Sequence, residues 1–139
     1  MKILCILGLW MAFSLSILQA KEIKMSSPDG KYQVTLSDEG GNLHYSVNWN
    51  HKEAIKPSLL GINANVVWRD QLALGDITTA EQDTVWHPVY GERSTIKDRY
   101  KAWSVVINRQ HSREKLVLDV RAYNEGIAFL QFVFILYDH

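Results

Sequence analysis

The sequence contains one cysteine, Cys5, in 139 residues. It lies inside an amino-terminal apolar run, so the chain beyond that run has no thiol for catalysis, disulfide bonding or soft-metal binding. Net charge is also missing, because fifteen Lys and Arg balance fifteen Asp and Glu. Without a basic stripe or an overall field, nothing draws the chain to nucleic acid or to an anionic membrane surface. Catalytic motifs are absent as well: there is no Gly-rich phosphate loop, no GxSxG elbow and no HExxH pair. The histidines at 44, 51, 87, 111 and 139 lack metal-ligand spacing. His44, His51 and His111 fall at outward strand or turn positions, which predicts solvated surface. Helical periodicity, internal repeats and low-complexity linkers are not found after Ala20, which leaves one domain and no second one.

The first twenty residues differ from the rest. Met1-Lys2 is positive, Ile3 to Ile17 is apolar apart from small residues and two serines, and Leu18-Gln19-Ala20 ends small before Lys21-Glu22. That order predicts a secretory signal peptide over residues 1–20, cleaved near Ala20. The apolar stretch is short for a bilayer core of roughly 30 Å, so a stable membrane anchor is the less favoured alternative. The expected product, residues 21–139, is exported to the periplasm or secreted and carries no disulfide, so it relies on apolar burial or on a neighbouring domain.

From residue 21 onward the pattern has period two. Tyr32, Val34 and Leu36 oppose Lys31, Gln33, Thr35 and Ser37, and Leu43, Tyr45, Val47 and Trp49 repeat the alternation. Trp103, Val105 and Ile107 continue it, as do Leu116, Leu118, Val120 and Ala122. Each run reads as a strand with one buried face. Turn chemistry separates them: Pro28-Asp29-Gly30 folds strand 23–27 back onto 31–37, and Asp38 to Asn42, Asn50 to Glu53, Gln110 to Glu114 and Asn124 to Gly126 mark further reversals. Residues 69–83 show no pattern and read as an irregular connection. The fold class expected is all-β, an antiparallel β-sandwich.

Ile127 to Tyr137 is apolar on both faces except at Gln131. Such a strand belongs in the middle of a covered sheet, yet only Asp138-His139 follow it. The expectation is a domain left incomplete at its C-terminus. Trp49, Trp68, Trp86 and Trp103 form an aromatic surplus that serves either core packing or stacking on sugar faces. Strand parity puts Trp49 and Trp103 in the core, whereas for Trp68 and Trp86 both readings stand.

Two motifs carry a family resemblance. Trp86-His87-Pro88-Val89-Tyr90-Gly91-Glu92-Arg93 with Ile96-Lys97-Asp98-Arg99-Tyr100, and Arg121-Ala122-Tyr123-Asn124-Glu125-Gly126-Ile127-Ala128-Phe129, resemble stretches of the amino-terminal domain of glycoside hydrolase family 97. Ser27 to Lys31 and Pro57 to Gly61 fit in the same order. The resemblance implies a supersandwich-like β domain from exported α-glucosidases and α-galactosidases of polysaccharide-degrading bacteria. It also implies a catalytic (β/α)₈ barrel in cis as partner, an α-linked oligosaccharide as substrate, and a calcium site that belongs mostly to the barrel. A barrel needs roughly 250 residues and alternating helices, which this sequence does not offer. Glycoside hydrolysis needs two carboxylates about 5–10 Å apart, and fifteen acids single out no pair. No catalytic residue, metal ligand or cofactor is therefore assigned here, and the chain is expected to be inactive alone. After Phe129 the family's alternating strand gives way to Leu130 to Leu136, which adds to the expectation of a truncated product.

Trp68, Trp86, Glu92, Arg93 and Asn124 are the candidates for sugar-binding or barrel-facing roles. Gly91 is expected to open a bulge or strand entry that aims Glu92 and Arg93 at the barrel, with a plain surface ion pair as the alternative. Asn124 either shapes a tight turn or touches ligand. A stand-alone carbohydrate-binding or protein-interaction module is the remaining alternative function.

Overall fold

The structure is a computed structural model that describes residues 19–63, 67–91 and 95–134. β1 (Glu22–Ser26), β2 (Tyr32–Ser37), β3 (His44–Trp49) and β4 (Lys52–Leu59) form one antiparallel sheet in chain order. β5 (Ile62–Asn63) and β6 (Val67–Trp68) make a short ladder. β7 (Leu72–Trp86), β8 (Ile96–Arg109), β9 (Lys115–Tyr123) and β10 (Gly126–Phe134) form the second four-stranded antiparallel sheet. Every connection within the two large sheets is a hairpin; the turn chemistry predicts all of them except the one between β7 and β8.

The sheets meet face to face through the residues that alternation marks as inward. Ile23, Met25, Val34, Leu36 and Val47 of the first sheet join Leu72, Leu74, Val105, Ile107, Leu116, Leu118 and Val120 of the second in one buried cluster, with Leu43, Ile62 and Trp68 among them. Tyr45 and Phe129 close the sandwich edge-to-face, with ring centroids 5.4 Å apart. Fully burying each aliphatic side chain contributes about 1.5–3 kcal/mol, and that term holds a disulfide-free domain together.

Turns set the registers. At Ser27-Pro28-Asp29-Gly30 the Gly30 N–H donates to the Ser27 carbonyl at 2.9 Å, and Gly30 takes φ +73, a value glycine adopts without strain. Asn50 and His51 adopt φ +48 and +62, so β3 and β4 are joined by a two-residue left-handed turn. Lys52 and Glu53, expected in that turn, already belong to β4. Opposite Ser46 the β3–β4 register shifts, and Pro57, which has no N–H to donate, sits at this irregularity on an outer strand.

Two further expectations change. Residues 69–83 are not an irregular connection, because Leu72–Trp86 is a single 15-residue strand paired along its length with β8. A register shift between Leu74 and Ile77 hides its alternation, and from Asp76 onward it has no buried face to reveal one. Trp49 is 47% exposed rather than core, because it ends β3 beside the Asn50–His51 turn, where its neighbours run out. β10 pairs with β9 alone among the described strands and forms the end of its sheet, so its outer edge has no neighbour among the described residues. Ile135 to His139 lie outside the described residues. Among the described residues no helix is long and apolar enough to cross a membrane.

Candidate functional site

β9 pairs with β8 only from Tyr100 to Asn108, so Ile96 to Arg99 bond to β7 alone. The distal β7–β8 hairpin therefore projects as a two-stranded arm beyond the sandwich. Its residues are held by ladder bonds and by cross-strand pairs such as Arg99–Asp83, with Nε 3.5 Å from Oδ2, an exposed pair worth about 0–1 kcal/mol. The arm ends in apolar side chains facing water: Val85 and Trp86 are each 51% exposed, Val89 86% and Tyr90 92%. Gly91 follows with φ +137, the glycine-only backbone expected there, although it lies in the loop at the arm's tip rather than in a bulge. Glu92 and Arg93 lie outside the described residues.

At the root of the arm, the outer face of the second sheet carries an aromatic and charged group. The rings of Tyr100 and Tyr123, opposite each other on β8 and β9, stand 5.0 Å apart and tilted. The Arg121 guanidinium lies 5.0 Å from the Tyr100 ring centroid in cation–π geometry. A hydrogen bond with Tyr123 raises the Arg121 pKa, against a smaller opposing effect of burial. The neighbouring cross-strand pair is closed by the Ser104 hydroxyl donating to Asp119 Oδ1. Two ring faces, a fixed cation and a carboxylate on one surface can stack on a sugar ring and hydrogen-bond its hydroxyls.

Trp68 is 2% exposed within the core, so its indole is committed to packing and offers no face to a ligand. Trp86 stands free on the arm. Trp103 is half-buried against the core and lines a shallow cavity with Thr79, Glu81 and Lys101. Asn124 does lie in the β9–β10 turn, and it also reaches across the sandwich: its Oδ1 accepts the Asp29 N–H at 3.0 Å. The Asp29 carboxylate in turn accepts the Ser27 hydroxyl at 2.6 Å and the Lys31 N–H at 3.1 Å. Ser27, buried to 1% exposure, takes the Tyr32 N–H on its Oγ at 3.0 Å. Asn124 thus clips the first hairpin of one sheet to the last hairpin of the other.

Asn124→Ala leaves the Asp29 N–H to water and is expected to cost about 0.5–1.5 kcal/mol, read as a lower denaturation midpoint with an unchanged m-value. A second expectation concerns acid. The Ser27 hydroxyl, then the Lys31 N–H, hold the Asp29 carboxyl below its ordinary 3.8. A depressed folded-state pKa means stability that is full above the unfolded value and lost as pH falls through the folded one. Asp29→Asn should therefore flatten the loss of stability below about pH 4, measured by urea melts across that range.

The outer face of the first sheet holds a polar depression of about 470 Å³, lined by Glu22, Lys24, Gln33, Thr35, Ser46 and Asn48 among others. His44 also borders it. Its Nδ1 is covered and without a hydrogen-bond partner, which corrects the expectation of a freely solvated ring. Among the described residues no three His, Cys, Asp or Glu side chains stand together so as to hold a metal ion.

Tyr100 and Arg121 stand in the two family motifs, but nothing in the sequence grouped them with each other or with Asp119 and Ser104. Their grouping needed the β8–β9 register, which pairs Tyr100 with Tyr123 and Ser104 with Asp119.

The fold and surface define a class: an antiparallel β-sandwich with a projecting, apolar-tipped arm. The chain belongs to the family described as Glycosyl-hydrolase 97 N-terminal, which matches residues 25–134. It is 24% identical over 131 residues to a retaining alpha-galactosidase of Bacteroides thetaiotaomicron, covering 93% of this chain and 19% of that protein. A glycoside hydrolase family 97 enzyme from Pseudoalteromonas sp. strain K8, solved in complex with panose, superposes with a TM-score of 0.71 at 23% identity, over 77% of this chain and 17% of that one. A beta-arabinopyranosidase superposes with a TM-score of 0.69 at 24% identity, over 77% of this chain and 17% of its own. The chain thus spans about a fifth of the length of these relatives.

Proposed function

We propose that the chain is exported and serves as the amino-terminal, carbohydrate-associated β-sandwich of an α-glucosidase- or α-galactosidase-like hydrolase. In this reading it supports a catalytic (β/α)₈ barrel in cis, the barrel works on an α-linked oligosaccharide and holds any calcium, and the sandwich turns over nothing alone. The observation that carries the reading is the arm. Four large apolar side chains at the tip of a two-stranded projection mark an interaction surface rather than a solvated loop, and the family's longer enzymes offer the domain to cover it. Export rests on the leader pattern of residues 1–20.

Calorimetric titration with malto-oligosaccharides tests the association with sugar. Heat that falls on Trp86→Ala supports a sugar contact on the arm, and no heat at millimolar sugar removes the carbohydrate role. The Tyr100–Tyr123–Arg121 group favours a second reading, a stand-alone carbohydrate-binding module. In that case Tyr123→Ala abolishes the heat while Trp86→Ala leaves it unchanged.

A further inference from the structure

The first residue beyond the expected leader is tied to both sheets. The backbone N–H of Lys21 donates to Asp38 Oδ1 at 2.6 Å, and the Lys21 carbonyl accepts the Asp38 N–H at 3.2 Å. The other carboxylate oxygen of Asp38 accepts the Leu74 N–H at 2.9 Å. Lys21 Nζ donates to the Gly75 carbonyl at 2.7 Å and lies 3.4 Å from that of Leu74. One carboxylate at the end of β2 therefore holds the start of β1 and the start of β7, on opposite sides of the sandwich. Around it lies a shallow depression whose charged lining consists of Asp38, Glu39 and Asp70. Gln19 and Ala20 border the same depression, exposed and outside any strand.

A peptide N–H brings Asp38 a partial positive charge, whereas an ammonium at the same nitrogen brings a full one into a basin whose charged lining residues are all acids, with the Lys21 side-chain ammonium directed away onto the Gly75 carbonyl. We infer that the chain is cut between Ala20 and Lys21 and that Asp38 receives the new α-ammonium as an internal socket for the processed N-terminus. The inference rests on the export reading above. In the cleavage a leader peptidase adds one water across the Ala20–Lys21 peptide bond. The water oxygen goes to the Ala20 carbonyl carbon, giving a carboxylate, and its two hydrogens end on the Lys21 nitrogen as ammonium. The N–H···carboxylate bond, until then charged on the acceptor alone, becomes an ion-paired hydrogen bond with charge on both partners. Removal of the leader thereby tightens the clip between the sheets, and the processed chain is better closed than its precursor.

The test uses the full 139-residue chain, exported from a bacterial host and recovered for intact mass and N-terminal sequencing. The expected N-terminus is Lys21. Its α-amine is then acylated under limiting reagent in folded and in urea-unfolded protein. Protection of about tenfold in the folded protein is expected, the size of one unit of amine basicity, and Asp38→Asn should abolish it and lower the thermal midpoint. Uncut, unexported protein overturns the export reading and this inference together. Exported protein that begins elsewhere, or at Lys21 with equal acylation rates folded and unfolded, overturns the socket alone. Where Asp38→Asn does not fold, the wild-type comparison decides.

Discussion

Trp68→Ala is expected to destabilise the domain by about 3–5 kcal/mol, the range for removing a large aromatic from a packed core. Trp68 is 2% exposed, opposite Ile62 in the short β5–β6 ladder and within the cluster that joins the sheets. Small domains have about 5–15 kcal/mol in total, so the variant should sit near the edge of folding. Trp86→Ala removes the same side chain from a site 51% exposed and should change stability by only about 0.5 kcal/mol. Urea melts of the two variants side by side provide the measurement. Near-equal losses, or a stable Trp68→Ala protein, would contradict the placement of these indoles.

Gly75→Ala should be the most damaging of the glycine substitutions. A Cβ there would meet Asn108 Nδ2 at 2.5 Å and the Val106 carbonyl oxygen at 2.9 Å. The amide can swing away, but the carbonyl is β8 backbone and cannot move without parting β7 from β8. The same residue's carbonyl accepts Lys21 Nζ, so the displacement would reach the first strand. A loss of about 1–3 kcal/mol is expected, as for overpacking generally. Gly61→Ala provides the contrast, since nothing lies within 4 Å of its Cβ position. Restricting the unfolded chain there should be neutral or stabilise by about 0.4–1 kcal/mol. Thermal melts should show a lower midpoint for Gly75→Ala and an unchanged or higher one for Gly61→Ala.

These expectations show where the sequence was legible. In β2, β8 and β9 the period-two pattern identified the buried face: Val34 and Leu36, Val105 and Ile107, and Leu116, Leu118 and Val120 are all at 0% exposure, whereas the short buried pair Leu72 and Leu74 of β7 escaped it. The hairpin turns were equally readable, because Gly30, Asn50 and His51 supply the backbone the reversals need. Alternation fails where no face is buried, and so the arm of β7 passed for a loop although Thr78, Thr79, Thr84 and Val85 favour strands. Parity also misplaced Trp49, since an inward position protects a side chain only while the opposing sheet extends over it. Trp68 and Trp86 could not be separated locally, because their burial depends on residues distant in sequence. The contacts that clip the sheets, Asn124 with Asp29 and Asp38 with Leu74 and Lys21, join residues 17 to 95 positions apart. Nothing in the local pattern around any of them announces the partner.

The central claim is that this sandwich works as the non-catalytic amino-terminal part of a family 97 glycosidase. The most direct test is to incubate the purified chain with p-nitrophenyl α-glucoside and α-galactoside at high enzyme concentration and follow nitrophenolate release. The account predicts no release above buffer. Turnover that disappears when a carboxylate of this chain, such as Asp119, is replaced by its amide would contradict it.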